Sequence, residues 1–525
     1  MNKNLFELDS LFKSNKFDEV VLKTKKLIKK GEIIAPYFNL LGISLDNLGK
    51  IYEAEKNFRD AIKKNPNEIS YYSNLSKILI KQNKLAEAEE FLNKALEIKP
   101  NDTFSLFEFG KLKTAQKDYF KALEFYQNVY KLEKQFPNAL FMIGKTYVEI
   151  SQDNKDVKYK DLALENLSEC SKLFPENSDA DFLLSELFDY SKEKKHQKIM
   201  LNKYAKIKYY DIRKKAVLLF AIAKSFEDQK KYDQASDFLK IANNEINSTV
   251  NQNIILNYSR RFANIKLLFD KIINIKSYND NKLYDKKIIF IVGMPRSGTT
   301  LLHQLLASAK NTIGIGESAI IPSFFENSIF NKEFLTKISK NEKLNKNYLI
   351  EISQKLGLDF DKLIELDKNV IIDKNPSNFF WIGFLKLLFP NAKIIIINRN
   401  IKDICLSIYK NIFGVKEMDW SYSQDNIIAY VKIYNQVIKY WKKKYGNFIY
   451  EIDYEKLINN KIEETKKLFS FCDLQWSEEI FDFYKTGKTI KTASVYQVKK
   501  PIYNSSVNIN KNYSKHLNFL KDLDN

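Results

Sequence analysis

The 525-residue chain predicts two folds in succession: an all-α solenoid of paired helices, then an α/β domain on a central parallel sheet. Three observations predict this. Small residues recur every 34 positions near the start of the chain. From about residue 286 the pattern changes to short apolar strands separated by helices. Between them stands Ile288–Val292, an apolar, largely β-branched run that leads through a glycine-bounded loop into a helix. A chain of this length also exceeds one ordinary core, so at least two domains are expected.

The repeats come first. Gly42, Ser76, Gly110 and Gly144 are each 34 apart, as are Val20, Ala54, Ala88 and Ala122, and a third series runs Ala61, Ala95, Val129. Pro66 and Pro100 end matching runs. Small side chains at those positions let two helices approach closely, where large ones would force them apart. The register slips by about seven residues after Gly144, then Ala163 and Pro175 resume it. A later unit, Ala216–Asn247, sets Ala223 and Ala235 twelve apart, the offset of Gly42 to Ala54. This period with two helices per unit resembles the tetratricopeptide repeat. The expected organisation is a solenoid over 1–261, a linker over 262–285 and an α/β domain over 286–525. The array offers either a surface for a protein partner or a scaffold that only packs internally.

Composition excludes some functions. The chain has 85 Lys+Arg against 65 Asp+Glu, a formal charge of +20. Lysine is spread without a basic block in a chain rich in Lys, Asn, Ile, Phe and Tyr, as A/T-rich coding produces, so no nucleic acid is expected. Cys170, Cys405 and Cys472 form no CxxC, and His196, His303 and His516 lie far apart, so no metal is expected. The start of the chain has no signal-peptide core, and no run approaches eighteen uncharged apolar residues. A cytoplasmic protein without a membrane span is the expectation.

The chemistry begins at Lys286–Leu306. The strand Ile288–Val292 ends at Gly293, Met294–Gly298 make a tight loop, and Thr299 and Thr300 open a helix. Loop N–H groups and the helix end together favour an anion. Gly293-x4-Gly298 has the spacing of a nucleotide P-loop, yet Thr299-Thr300 replaces the lysine that reaches terminal phosphates. Arg296 is the only charge in the loop. The string PRSGTT at Pro295–Thr300 resembles the 5′-phosphosulfate loop of sulfotransferases that use 3′-phosphoadenosine-5′-phosphosulfate (PAPS). The resemblance assigns Arg296, Ser297, Gly298, Thr299 and Thr300 to that co-substrate.

Further strands are expected at Val370–Ile372, Lys393–Ile397 and Phe448–Ile452, and ligands in such sheets lie beyond the strands' C-terminal ends. Glu317, in TIGIGESAIIP, reads alone as a helix cap or surface charge. The likeness to tyrosylprotein sulfotransferases makes it the catalytic base. Lys374 could stabilise charge on a transferring group or be an ordinary solvated lysine. The family pattern of a lysine before a proline, then LFPNAK and a strand, assigns it to catalysis.

Arg399 and Ser407 resemble the family's clamp on the 3′-phosphate, although Asn400 and Asn411 stand where the family often has Asp and Arg, with Lys410 beside the latter. Tyr454 matches a tyrosine that contacts the co-substrate. In KTASVYQVKKPIY, Ser494 matches a transition-state contact and Lys500 the basic loop over the nucleotide. The resemblance offers Lys511 as a further phosphate ligand, with two extra residues intervening against the family spacing.

Repeats before such a domain resemble the bacterial tetratricopeptide sulfotransferases. That implies PAPS-dependent sulfuryl transfer to a hydroxyl on a peptide, a glycan or a small molecule, protein tyrosine included. The alternative is a repeat adaptor whose α/β half senses a nucleotide without turnover.

Overall fold

The structure, a computed structural model, describes residues 3–154, 156–206, 211–271, 282–325, 346–363, 368–485 and 507–524. Two compact units divide the chain, residues 1–188 and 189–525.

The first unit is helical. Its pairs include Ala35–Asn47 with Ile51–Lys64, Ile69–Lys81 with Leu85–Ile98, and Thr103–Ala115 with Tyr119–Leu132. The periodic small residues sit where the second helix of a pair delivers a large side chain. A Cβ on Gly42 would come 2.6 Å from the Phe58 ring, on Gly110 2.4 Å from Tyr126 and on Gly144 2.7 Å from Leu167. Ala54, Ala61, Ala88, Ala95, Ala122 and Val129 are fully buried. A fourth series becomes visible only in the backbone. Asn15, Gly49, Asn83 and Lys117 follow the first helix of successive pairs with φ between +57° and +76°, the left-handed turn that releases the chain into the next helix. Ion pairs such as Arg59–Glu87 at 2.6 Å and Lys113–Glu89 at 2.7 Å join neighbouring repeats.

The second unit begins with helices Lys195–Lys206, Ile212–Asp228, Tyr232–Asn247 and Ile254–Lys271. The expected repeat at Ala216–Asn247 is a helix pair with Ala223 and Ala235 buried, and it belongs to this unit. Its Asn243 side-chain amide donates to the Tyr409 carbonyl at 2.9 Å, and Glu227 pairs with Lys410. The last of these helices continues to Lys271, burying Ile265, Leu268 and Phe269, so the linker drawn from 262 starts inside a helix. The ring of Phe269 meets Trp441 edge-on at 4.9 Å, which is what holds that final turn.

Five parallel strands follow: β1 (Lys287–Val292), β2 (Thr312–Gly316), β3 (Val370–Lys374), β4 (Lys393–Asn398) and β5 (Ile449–Asp453), ordered β2-β3-β1-β4-β5. β1, β3, β4 and β5 agree with the expected runs. β2, where no strand was expected, is an additional strand on one edge. On one face Ile289, Ile291, Ile372, Ile395 and Ile397 pack against Leu302, Leu305 and Leu306 of the helix Thr299–Ala307. That packing fixes the loop between β1 and this helix.

The repeat contact is testable. Gly110→Val should lower the urea unfolding free energy by about 1–3 kcal/mol through overpacking against Tyr126. Adding Tyr126→Leu should restore part of it, as measured by circular dichroism of the helical transition.

Candidate active site

The loop leaving β1 is shaped by backbone that side chains disfavour. Gly293, Arg296 and Gly298 have φ of +149°, +67° and +110°. The left-handed Arg296 is a strained position for a residue with a Cβ, of a kind that clusters at functional sites. Gly298 has a tighter reason: a Cβ there would lie 2.6 Å from the Tyr454 ring. Ser297 is buried, its hydroxyl donating to the Met294 carbonyl at 2.8 Å, so it braces the loop from below. Gly298 opens the helix Thr299–Ala307 without a capping side chain, and Thr299 and Thr300 are buried in its first turn. An uncapped helix end beneath a turn of backbone amides suits an anion.

Beside the loop, residues from three chain segments converge. Arg296 Nε donates to Ser407 Oγ at 3.0 Å, and Arg399 Nη1 donates to the Arg296 carbonyl at 3.0 Å. The Arg399 guanidinium lies 4.7 Å from the Tyr454 ring centre. Thus Arg296, Ser407, Arg399 and Tyr454, at the outgoing ends of β1, β4 and β5, form one cationic cluster against Gly298. The sequence assigned Arg296 and Ser407 to opposite ends of the nucleotide; here their side chains are bonded to each other. Lys410, noted as a neighbour of the clamp, pairs with Glu227, and Asn411 donates to the Ser407 carbonyl at 2.6 Å.

A second polar cluster ends β3. Lys374, with a side chain only 2% exposed, forms an ion pair with Glu317, whose side chain is 44% exposed. The strand end buries the ammonium, and burial lowers its pKa against the opposing pull of the Glu317 charge. Beside it Asp373 is fully buried, accepts from Asn378 Nδ2 at 3.3 Å through one oxygen and has no hydrogen-bond partner for the other among the described residues. Desolvation raises the Asp373 pKa well above the usual carboxylate range, against the pull of the Lys374 charge. Asn375 Nδ2 donates to the Ser318 carbonyl at 2.9 Å, tying the two segments that carry the pair.

Ser494 and Lys500 lie outside the described residues. Lys511 is exposed in a short turn, Ile509–Asn512, and that turn is fixed by a residue the sequence reading did not single out. The buried carboxylate of Asp403, on the same helix as Ser407, accepts from Asn508 N at 2.7 Å, Asn510 N at 2.8 Å and Asn510 Nδ2 at 2.7 Å. Its partners lie more than a hundred residues away, and no local pattern announces them. A cavity of ≈ 420 Å³ opens at the opposite edge of the sheet, where Lys287 and Lys393 both pair with Asp473 at 3.1 Å. No predicted site residue reaches it. Among the described residues no group of acids, histidines and cysteines could hold a metal ion, and no helix is long and apolar enough to cross a membrane.

Comparison with known proteins gives matches in two parts of the chain. Residues 289–478 match the model of a sulfotransferase family, and residues 69–102 match that of the tetratricopeptide repeat. An uncharacterized protein of Aquifex aeolicus (strain VF5) is 29% identical over 304 residues, which are 57% of this chain and 40% of that protein. The Caenorhabditis briggsae protein named "Putative protein-tyrosine sulfotransferase" is 24% identical over 200 residues, 38% of this chain and 70% of its own. The sulfotransferase domain from the Synechococcus PCC 7002 olefin synthase aligns at 17% identity and a TM-score of 0.33, covering 48% of this chain and 98% of that domain.

The buried acid gives a signed prediction. A carboxyl whose folded pKa is raised costs stability as pH climbs from the unfolded value, about 3.9, through the folded one. Asp373→Asn keeps the acceptor for Asn378 and removes that cost. Its melting temperature should exceed the wild type's at pH 7.5, and the difference should shrink toward pH 4.

Proposed function

With a sulfotransferase-family domain behind tetratricopeptide repeats as the premise, we propose that this protein transfers a sulfuryl group from PAPS to a hydroxyl acceptor. The observation that carries the reading is the pairing of two clusters at neighbouring strand ends. One is an anion loop flanked by Arg296, Arg399 and Ser407; the other is the buried Lys374 bonded to the half-exposed Glu317.

The donor carries a 3′-phosphate and a 5′-phosphosulfate. The loop residues Arg296 to Thr300 and the helix end suit the latter, and Arg399, Ser407 and the ring of Tyr454 suit the nucleotide side. Ser494, Lys500 and Lys511 remain proposed ligands from the chain's last segment. In the reaction the acceptor oxygen bonds to sulfur while the bond from sulfur to the bridging oxygen breaks. Glu317 takes the acceptor's proton, and the Lys374 ammonium lies beside it to stabilise negative charge that grows in the transition state. No metal is invoked.

A protein tyrosine is one acceptor within this class, alongside sugars and small phenols, and the repeats are a surface for a substrate or partner protein. A cytoplasmic setting completes the proposal.

The two clusters should separate kinetically. Arg399→Ala removes a contact made equally in ground and transition states, so it should weaken donor affinity by about 1.5–3 kcal/mol and be rescued by more PAPS. Glu317→Gln should leave affinity nearly intact and cut turnover by about 10²–10⁴-fold. Binding of the desulfated nucleotide by calorimetry and turnover of 35S-labelled PAPS with a broad acceptor panel measure both. Failure of the wild type to bind PAPS or its desulfated product would refute the assignment; turnover undiminished in Glu317→Gln would remove that residue from the acceptor side.

A further inference from the structure

Glu317 stands one residue past an irregularity in β2. Gly314 pairs with Ile372 and Gly316 with Asp373, so Ile315 is an extra residue on β2 and the register shifts across it. Such a bulge disrupts the ladder locally and re-aims the side chains that follow. Gly316 adopts φ +71°, which turns the chain before Glu317.

The Gly316 N–H beside that bulge is accepted by a side chain from another element. His303, 7% exposed on the helix that opens with Thr299, places Nε2 3.2 Å from the Gly316 nitrogen. The imidazole lies flat on β2 because Gly314 has no side chain; a Cβ there would be 2.6 Å from Nε2 and 2.7 Å from Cε1. A backbone N–H can only donate, so Nε2 is the bare nitrogen and the ring's proton is on Nδ1. Gln304 Nε2 stands 3.3 Å from Nδ1; two N–H groups cannot bond to each other, so this tautomer requires the Gln304 amide turned over, with its oxygen accepting from Nδ1–H.

We propose that His303 is a positioning residue: its neutral ring, accepting from Gly316, locks the bulge that aims Glu317 at Lys374. It links the helix under the anion loop to the strand end carrying the base, so donor and acceptor sides share one rigid connection. A positioned base loses efficiency steeply with small displacements. The inference rests on the reading of Glu317 as the base.

Two measurements test it. With three histidines in the chain, a 15N-histidine spectrum of the wild type is readable, and His303→Gln identifies the His303 signals. The expected result is the Nδ1–H tautomer with a bare Nε2; the Nε2–H tautomer or an imidazolium at pH 7.5 overturns the proposal, and this reading needs neither turnover nor a destabilising variant. In kinetics, His303→Leu should lower kcat by about 10–100-fold with KM for PAPS within about twofold, and His303→Gln, whose carbonyl can accept from Gly316, should recover most of it. Equal losses in Leu and Gln, or a change confined to KM, overturn it. If the wild type transfers no sulfuryl group, the functional reading fails, and the spectrum alone decides whether His303 holds Gly316.

Discussion

Five strands that all run the same way deliver all their outgoing ends to one edge of a sheet, and the site depends on that constraint. β1 hands over the anion loop, β2 Glu317, β3 Lys374, β4 Arg399 and β5 Tyr454. No two of the last four are close in sequence. Register brings them together: Ile291 pairs with Lys374 on one side and Ile395 on the other, while Asn398 pairs with Asp453. A slip of one residue in any pairing would turn a site residue to the wrong face. The apolar packing of β1, β3 and β4 against Leu302, Leu305 and Leu306 opposes such a slip.

Much of this was legible because its causes are local. A β-branched run, two glycines at fixed spacing and a helix pattern specify β1, its loop and the following helix without outside help. The 34-residue series through Gly42, Ala54 and Ala61 were legible because close helix approach keeps side chains small at the same place in successive units. β2 was not, since Thr-Ile-Gly-Ile-Gly has two glycines where strands carry bulk, and only the backbone shows why: His303 needs the space at Gly314. Nor was the role of Asp403, whose partners Asn508 and Asn510 are brought by the fold alone. The continuation to Lys271 escaped because the repeat signature stops while the helix goes on, held by Phe269 against Trp441.

Charge follows the same division between local and distant causes. Lysine is abundant everywhere, and in the repeats some of it is matched, as in Lys84 with Glu55 at 2.9 Å and Lys81 with Asp46, where burial raises the Asp46 pKa but the two nearby lysines bring it below the ordinary range. Pairs open to water on both sides, such as Lys13 with Asp9, contribute little each. Lys374 is different in kind. Its ammonium is nearly sealed from water, so its pairing with Glu317 is a condition of its being there as a charge.

The helices Ile212–Asp228 and Tyr232–Asn247 look like one more repeat and are bonded to the sheet's own helices through Asn243 and Glu227. For modular exchange, such a pair is a piece of repeat design built into the second unit. A chimera cut at 261 would keep these contacts, but it would sever the helix Ile254–Lys271 in its middle. A cut near 188 leaves both this helix pair and that helix whole. Arrays of different length could then be exchanged there without cutting the bonds of Asn243 and Glu227 or any strand end that carries the candidate site.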